Sequence, residues 1–191
     1  MVSLKCRLSV VLAAGLMLAG CVPSFAGRFS LSTNLLGYAG FGTMNLEASY
    51  GMARRWSISA GARYNPFTFH KGDSARQFQC RQQAYDIGVR LWPWHIWSGW
   101  WFSSKLRYQE YNFGGLLSRR TREGDRTGLG ICAGYTYMLN SHLNIEFGVG
   151  LWTGLDIYRH YSCPSCGMTV STGKKIFVAP DDIMISIAYV F

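Results

Sequence analysis

From residue 29 to the last residue, apolar and polar side chains alternate position by position in eight separate stretches. In the first stretch, Phe29, Leu31 and Thr33 alternate with Ser30 and Ser32. A period of two residues is that of an extended strand, whose successive side chains point to opposite faces. The eight stretches are residues 29–35, 44–51, 56–64, 85–91, 100–109, 128–137, 143–151 and 183–191. The alternation therefore predicts eight β-strands and an all-β fold.

The two faces of these predicted strands differ in size and polarity. One face carries large apolar side chains, and the other carries glycine, serine and charged residues. Glycine supplies 22 residues, and only 15% of the chain is charged, against about a quarter in a typical soluble domain. No apolar run of about 18 residues follows the first 30 positions, so no membrane helix is predicted. We therefore predict an eight-stranded antiparallel up-and-down transmembrane β-barrel after a cleaved signal peptide, with its apolar face toward lipid.

The N-terminus has the pattern of an export signal. Lys5 and Arg7 form a short basic region, and an apolar core follows over residues 8–19. Two cleavage sites remain open. Cleavage after residue 26 leaves residues 27–191 as the barrel, whereas the lipobox-like residues 18–21 predict cleavage after residue 20 and a lipidated Cys21. Either route takes the chain out of the cytoplasm.

The connections between the predicted strands alternate in length. Residues 52–55, 93–98 and 140–142 form short turns, residues 37–43 a moderate loop, and residues 65–83, 112–125 and 160–181 three long loops. Outer-membrane barrels place short turns in the periplasm and long loops outside. The order therefore predicts two periplasmic termini and long loops at the cell surface. Aromatic residues gather at both ends of the strands, as in interfacial girdles: Tyr50, Trp56, Trp94, Trp97 and Trp100 near the turns, and Tyr38, Tyr64, Tyr108 and Tyr158 near the loops.

Three short motifs resemble a known family. They are Thr33-Asn34-Leu35-Leu36, the Arg-Tyr-Asn-Pro run of residues 63–66, and the C-terminal Ala188-Tyr189-Val190-Phe191. Over residues 29–191 the chain resembles the Bacteroidetes family of unknown-function outer-membrane β-barrel proteins. The resemblance implies the fold and an outer-membrane location, assigns no catalytic residue, and connects some members with fimbrial or other surface-structure loci. The terminal Phe191 is similar to the signal that barrel-insertion machinery reads, while the lipobox departs from the plain signal peptides expected in this family.

Charged residues on the inward face are balanced in number. By parity the acids are Glu47, Asp86, Glu146 and Asp156, and the bases are Arg63, Arg90, Lys105 and Arg107. An eight-stranded barrel has room inside only for side chains, and buried charges are costly unless they are paired. We predict an ion-pair network that plugs the lumen. A gated pore or a proton path is the alternative.

Cysteines occur in two of the long loops. Cys163 and Cys166 form a C-x-x-C motif in the last loop, and Cys80 lies in an earlier one. Thiols of an exported chain tend to oxidise, which favours a disulfide among these three. A redox centre and a zinc site with His70 and His160 are weaker alternatives, and we predict no metal. Cys132 faces inward as a small core residue.

The second of the three long loops, residues 112–125, is basic together with the residue that follows it. It carries Arg119, Arg120, Arg122 and Arg126. Removal of Lys5 and Arg7 with the signal lowers the formal net charge from +9 to +7. Since arginine binds phosphate bidentately, this patch is a candidate contact for outer-membrane lipid, lipopolysaccharide or a surface-protein partner. A solvated cationic surface is the alternative, and nucleic acid is not an expected partner outside the cytoplasm.

No motif for a cofactor or for catalysis stands out. Ser104, Glu110 and His160 are the candidates for a lipid-modifying site, but Ser104 and Glu110 lie six positions apart on one predicted strand. We therefore predict a non-enzymatic barrel without cofactors, in a structural or docking role that could involve a surface or fimbrial assembly. The alternatives are a lipid A-modifying enzyme and a soluble periplasmic barrel that binds an apolar ligand.

Overall fold

The computed structural model describes residues 27–69, 77–114, 121–162 and 169–191. They form one short helix, α1 (Leu35–Ala39), and nine strands: β1 (Phe29–Asn34), β2 (Met44–Ala53), β3 (Trp56–Asn65), β4 (Thr68–Phe69), β5 (Phe78–Leu91), β6 (Gly99–Gly114), β7 (Thr121–Met138), β8 (Leu143–Tyr161) and β9 (Thr169–Val190). No helix within these ranges is long and apolar enough to cross a membrane. The prediction of an all-β fold is confirmed.

The strands form one antiparallel sheet that closes on itself. Neighbours in the sheet follow chain order, and β3 pairs directly with β5. The first and last strands close the ring through five residue pairs, from Ser30↔Val190 to Asn34↔Ser186. The two-residue β4 adds to the start of β5 outside the ring. Eight strands therefore make up the ring, in the predicted antiparallel order.

The strands tilt relative to the axis of the ring. Partner residues can be followed from Ser32 on β1 through every strand to Phe177 on β9. Ser32 itself pairs with Ala188, eleven residues further along β9. Such a displacement requires tilted strands. The tilt brings side chains from strands that are not neighbours to the same height inside the ring.

The two faces of the ring have the polarity that the alternation predicts. On β6, Ser103, Lys105 and Arg107 are buried inside, whereas Phe102 and Leu106 are exposed on the outside. The other long strands repeat this arrangement, with serine, threonine, asparagine and charged residues among the most buried side chains. The inside is therefore the polar side, and the outside is apolar.

The first strand is shorter than predicted. It ends at Asn34, and Leu35 lies in α1 rather than on a strand. The reason is local: the Asn34 side chain caps the helix by accepting a hydrogen bond from the Leu36 backbone N–H at 3.1 Å. The same side chain also accepts a hydrogen bond from the backbone of Ile185 at 3.2 Å. Asn34 thus ends β1 and ties α1 to β9.

The long loops are much shorter than predicted, because the strands continue into them. Strand β5 begins at Phe78, β6 continues to Gly114, and β7 begins at Thr121. Strands β8 and β9 have 19 and 22 residues. Register is unbroken along β6 and β7, where Gly99↔Thr136 at one end continues to Gly114↔Thr121 at the other. The β6–β7 and β8–β9 hairpins therefore stand well above β1, β2 and β3.

The apolar core fills the end of the ring that carries the short turns. Trp92, Trp97 and Trp101 pack together there with Cys132 and Met184. This corrects the placement of Trp97 in an outer girdle. Its indole N–H donates to the Gly27 carbonyl at 3.0 Å, and its carbonyl accepts from Asn144 at 3.1 Å. These contacts hold Trp97 at φ 67°, a conformation that bulky residues rarely adopt.

Candidate functional site

The centre of the ring is occupied by Arg90, whose side chain is 1% exposed. Its guanidinium group donates to Glu146 at 2.9 Å and also pairs with Glu47. The same group lies 4.6 Å from the ring centroid of Trp101. Strands β2, β5 and β8 supply the three charged groups, so the ion pairs cross the interior. A guanidinium group with two carboxylates satisfies the pairing that buried charges need.

A second set of ion pairs continues the first toward the loop end. Lys105 Nζ lies 2.7 Å from Glu47 and 3.8 Å from Asp86. Asp86 also lies 3.7 Å from Arg107. All four of these residues face inward, and Glu47 is shared by Lys105 and Arg90. The carboxylates and cations therefore form one connected chain of charges rather than isolated pairs.

Arg63 lies beside this chain of charges. Together with Asp86, Arg90 and Lys105 it lines a small cavity of about 30 Å³. A cavity of that size is large enough to hold a water molecule. At this height of the ring the described interior is occupied largely by charged side chains.

The last of the predicted inward acids, Asp156, belongs to a separate cluster nearer the loop end. Its carboxylate pairs with Arg122, lies 3.3 Å from Arg126, and accepts a hydrogen bond from the Tyr111 hydroxyl at 2.8 Å. The Arg126 guanidinium group also stacks on Tyr111, 4.2 Å from the ring centroid. This cluster joins β6, β7 and β8 where the hairpins rise above the shorter strands. We call it the upper arginine cluster.

The upper arginine cluster differs from the expectation that Arg122 and Arg126 lie on a basic surface loop. Both residues are on β7, and their guanidinium groups turn inward to Asp156. The signal that could have found them is the parity of β7, since Gly128 and Cys132 are inward and the same period continues to residues 126 and 122. The parity of β8 likewise turns Tyr158 inward, where its ring centroid lies 4.6 Å from the guanidinium carbon of Arg122. Tyr158 is therefore not part of the predicted interfacial girdle.

Several predicted positions lie outside the described residues. These are Cys21, Cys163, Cys166, His70, Arg119 and Arg120. Cys80 is half-buried on β5 and forms no disulfide with a described residue. Cys132 is buried in the tryptophan core. In the described part of the chain, no three His, Cys, Asp or Glu side chains are grouped as metal ligands.

The candidates for lipid chemistry do not meet in one place. Ser104 and Glu110 both face outward on β6, with Leu106 and Tyr108 between them. The Glu110 carboxylate accepts a hydrogen bond from Tyr108 at 2.9 Å. His160 follows the inward parity of β8 and packs edge-on against Tyr158, 5.1 Å between centroids. The structure therefore brings none of these three residues together.

The interior is thus filled in three layers: the tryptophan core at the turn end, the ion pairs around Arg90, and the upper arginine cluster. These features define a class of protein, a closed antiparallel ring whose charged face points inward and whose apolar face points outward. Within that class, the chain belongs to the DUF3575 family, described as a protein of unknown function, which matches residues 10–191. No curated protein and no solved structure matches the chain.

Proposed function

We propose that this protein is a small outer-membrane β-barrel with a plugged interior, which presents tall hairpins at the cell surface in a structural or docking role. The observation that carries the proposal is the apolar outer face. Leu46, Ile87, Leu106, Ile131 and Val149, on five strands of the ring, are each exposed. A contiguous apolar surface this extensive is unfavourable in water and marks contact with a lipid or a partner. Because these residues lie on strands all around the ring, a lipid bilayer is the environment that can cover the whole apolar outer face.

The positions of the exposed aromatic residues support this location. Trp56, Trp94 and Trp100 are exposed near the short turns, and Tyr38, Tyr64 and Tyr108 near the opposite end. Aromatic residues collect at the two interfaces of a bilayer. Between the two groups, the outward side chains of β2, β3 and β5 are apolar or small. The proposal places the apolar band between them in the hydrocarbon layer.

The orientation follows from the lengths of the connections. The short turns lie at the end that holds Gly27 and Phe191, where Phe191 packs 5.5 Å from Phe29 between ring centroids. We place this end in the periplasm, with Phe191 as the contact for barrel-insertion machinery. The upper arginine cluster and the tall hairpins then lie at the outer surface, near the phosphates of lipopolysaccharide. Cleavage after residue 26 and lipidation of Cys21 both fit this orientation.

The filled interior favours docking over the other functions. A soluble barrel for an apolar ligand needs an apolar cavity, whereas Arg90, Glu146 and Asp156 occupy the inside of this ring. A lipid-modifying enzyme needs a nucleophile and a base in contact, and Ser104 lies six positions from Glu110 on one strand, which is about 20 Å. We therefore infer a role without catalysis. Unchanged lipid A acylation by mass spectrometry is the expected result.

Fractionation of expressing cells tests the location and the fold together. We expect the protein in the outer-membrane fraction, with an unboiled band that migrates differently from the boiled band. Trypsin added to intact cells should cleave only in the connections at the loop end, which are those between β3 and β5, β6 and β7, and β8 and β9. A protein recovered in the soluble periplasmic fraction, with no difference between boiled and unboiled bands, would overturn the proposal. The apolar outer face would then have to be covered by another protein.

A further inference from the structure

Part of strand β9 is paired on one side only within the described residues. Strand β1 pairs with β9 only from Ser186 to Val190, and α1 replaces a strand beyond Asn34. The remainder of β9, from Thr169 to Pro180, pairs with β8 on one side. On its other side, no strand among the described residues pairs with it. We call residues 169–180 the open edge of β9.

The backbone groups of this edge can be assigned by parity. The Phe177 carbonyl accepts a hydrogen bond from the Thr153 hydroxyl on β8 at 3.0 Å, so the Phe177 backbone faces β8. Because alternate residues of a strand direct their N–H and C=O groups to opposite sides, Ile176 and Val178 direct theirs to the open side. Lys174 and Thr172 follow the same parity. Within the described part of the chain these donors and acceptors have no partner strand, and such a row is a template for another strand.

The side chains along the edge are apolar and basic. Ile176 is 77% exposed and Val178 is 72% exposed, and within the described residues β8 alone flanks them. Lys174 and Lys175 are both exposed, on opposite faces of β9, and Lys175 lies 5.7 Å from the ring centroid of Tyr158. Residues 169–180 contain no acidic residue. A strand added here would therefore find apolar contacts beside Ile176 and Val178, and positive charge on both of its faces.

A second copy of this chain does not fit the edge in the proposed orientation. Two copies in one membrane are related by an axis along the membrane normal, which makes their β9 strands parallel. In that arrangement Lys174 and Lys175 of one copy approach the same lysines of the other. Like charges opposite each other destabilise paired strands. The occupant that fits is a segment of opposite charge from a different protein.

We propose that the open edge of β9 binds an extended segment of another exported protein by strand addition, a segment with β-branched apolar residues followed by carboxylates that pair with Lys174 and Lys175. Main-chain hydrogen bonds supply the attraction in this mode of recognition, and alternate side chains supply the specificity. This inference rests on the proposed docking role and gives it a place and a chemistry.

The test uses the full chain, refolded in detergent micelles, and a fluorescent capped heptapeptide, Thr-Val-Val-Glu-Glu-Thr-Thr. Aligned antiparallel, its glutamates lie opposite Lys174 and Lys175. Two control peptides replace both glutamates by lysine or methylate alternate backbone nitrogens. The main variant, Ile176→Pro, removes one N–H from the open side, where an edge strand tolerates proline. Ile176→Ala keeps that N–H and is the matched control. Fluorescence anisotropy measures binding, and the unboiled gel band verifies that each variant folds.

We expect the acidic peptide to bind about tenfold more weakly to Ile176→Pro than to Ile176→Ala, and both control peptides to bind weakly. The Lys174→Glu, Lys175→Glu double variant should prefer the lysine peptide. Absence of binding, or binding that Ile176→Pro leaves unchanged, would overturn the strand-addition proposal. A dimer in sedimentation that Ile176→Pro abolishes would also overturn it, in favour of a second copy. Failure of the barrel proposal is distinguished by the gel and the cell fractions, which do not depend on the peptide.

Discussion

At the scale of single residues, Arg90 is the cation that links two carboxylates in the interior. It is the shared partner of Glu47 and Glu146 and lies on the face of Trp101. A guanidinium group remains protonated under all conditions in which proteins fold. Glu47 also pairs with Lys105, whereas Arg90 is the cation beside the buried Glu146, so the energy of this centre depends most on keeping Arg90 between the two acids. Removing the cation is more damaging than removing the whole set.

The first prediction follows from this asymmetry. Arg90→Met should lower the free energy of unfolding by about 3–5 kcal/mol, because it leaves two buried carboxylates with one cation fewer. Adding Glu47→Gln and Glu146→Gln should recover part of that loss. The measurement is the urea concentration at which the folded gel band is lost. Arg81→Met, at an exposed position on the same strand, is the matched control and should change little. Equal effects of Arg90→Met and Arg81→Met would contradict the prediction.

A second residue-scale prediction concerns the close packing of Gly134. A Cβ added to Gly134 would contact the indole of Trp101 and the carbonyl of Phe147 at distances that no real side chain shows. Gly134→Ala should therefore destabilise the folded protein by about 1–3 kcal/mol. At Gly40 an added Cβ would meet its nearest atoms at 3.4 Å, an ordinary contact, so Gly40→Ala is the control. The same urea titration measures both variants. Equal stability of the two would contradict the prediction that the close packing around Gly134 excludes a Cβ.

At the scale of elements, the tall hairpins are stiffened from within. Tyr111 on β6, Arg122 and Arg126 on β7, and Asp156 on β8 meet above the height at which β1 ends. Asp156 is fully buried and takes part in each contact. Two-stranded hairpins are marginally stable on their own in water. The upper arginine cluster therefore explains how three long strands remain paired beyond the ring.

The third prediction is that Asp156→Asn loosens the hairpins without opening the ring. The variant keeps the shape of the side chain but loses the charge that holds two guanidinium groups. Trypsin should cleave at Arg119 and Arg120, between β6 and β7, several times faster than in the unmodified protein. The folded gel band should persist. Asp125→Asn, at an exposed outward position on β7, should leave the cleavage rate unchanged, and equal acceleration in both variants would argue against a specific role for Asp156.

The elements show how far sequence reasoning reaches. A period of two fixes which face of each strand is inside, and so the inward places of Glu47, Arg90, Lys105 and Glu146 follow from counting residues. The same period continues along β7 to Arg122, where the polar composition of Arg122, Glu123 and Asp125 predicts a loop instead of a strand. It could not place Trp97 or α1, since a positive φ and a helix cap depend on contacts with Gly27, Asn144 and Ile185 that are distant in sequence.

At the scale of the whole molecule, the ring is both closed and uneven. It is closed because β1 and β9 pair, and its interior holds the tryptophan core, the ion pairs around Arg90 and the upper arginine cluster. It is uneven because β1 has 6 residues while β9 has 22. The short side leaves the edge of β9 without a second partner strand among the described residues, and side chains occupy the interior at three heights. Under the proposed function, both features favour the tall strands as the place of docking.

The last prediction is that the ring does not conduct ions, and that two of its layers block it in series. The unmodified protein in a planar lipid bilayer should show no stepwise current. Trp101→Ala removes part of the tryptophan core, and Arg90→Ala removes the centre of the ion pairs, yet each leaves the other layer in place. We therefore expect no current from either single variant and a measurable current from the double variant, with the folded gel band as the control for insertion. Stepwise current from the unmodified protein would mean that the layers separate in the membrane, and the gated pore would then replace the plugged barrel as the better account of Arg90 and its partners.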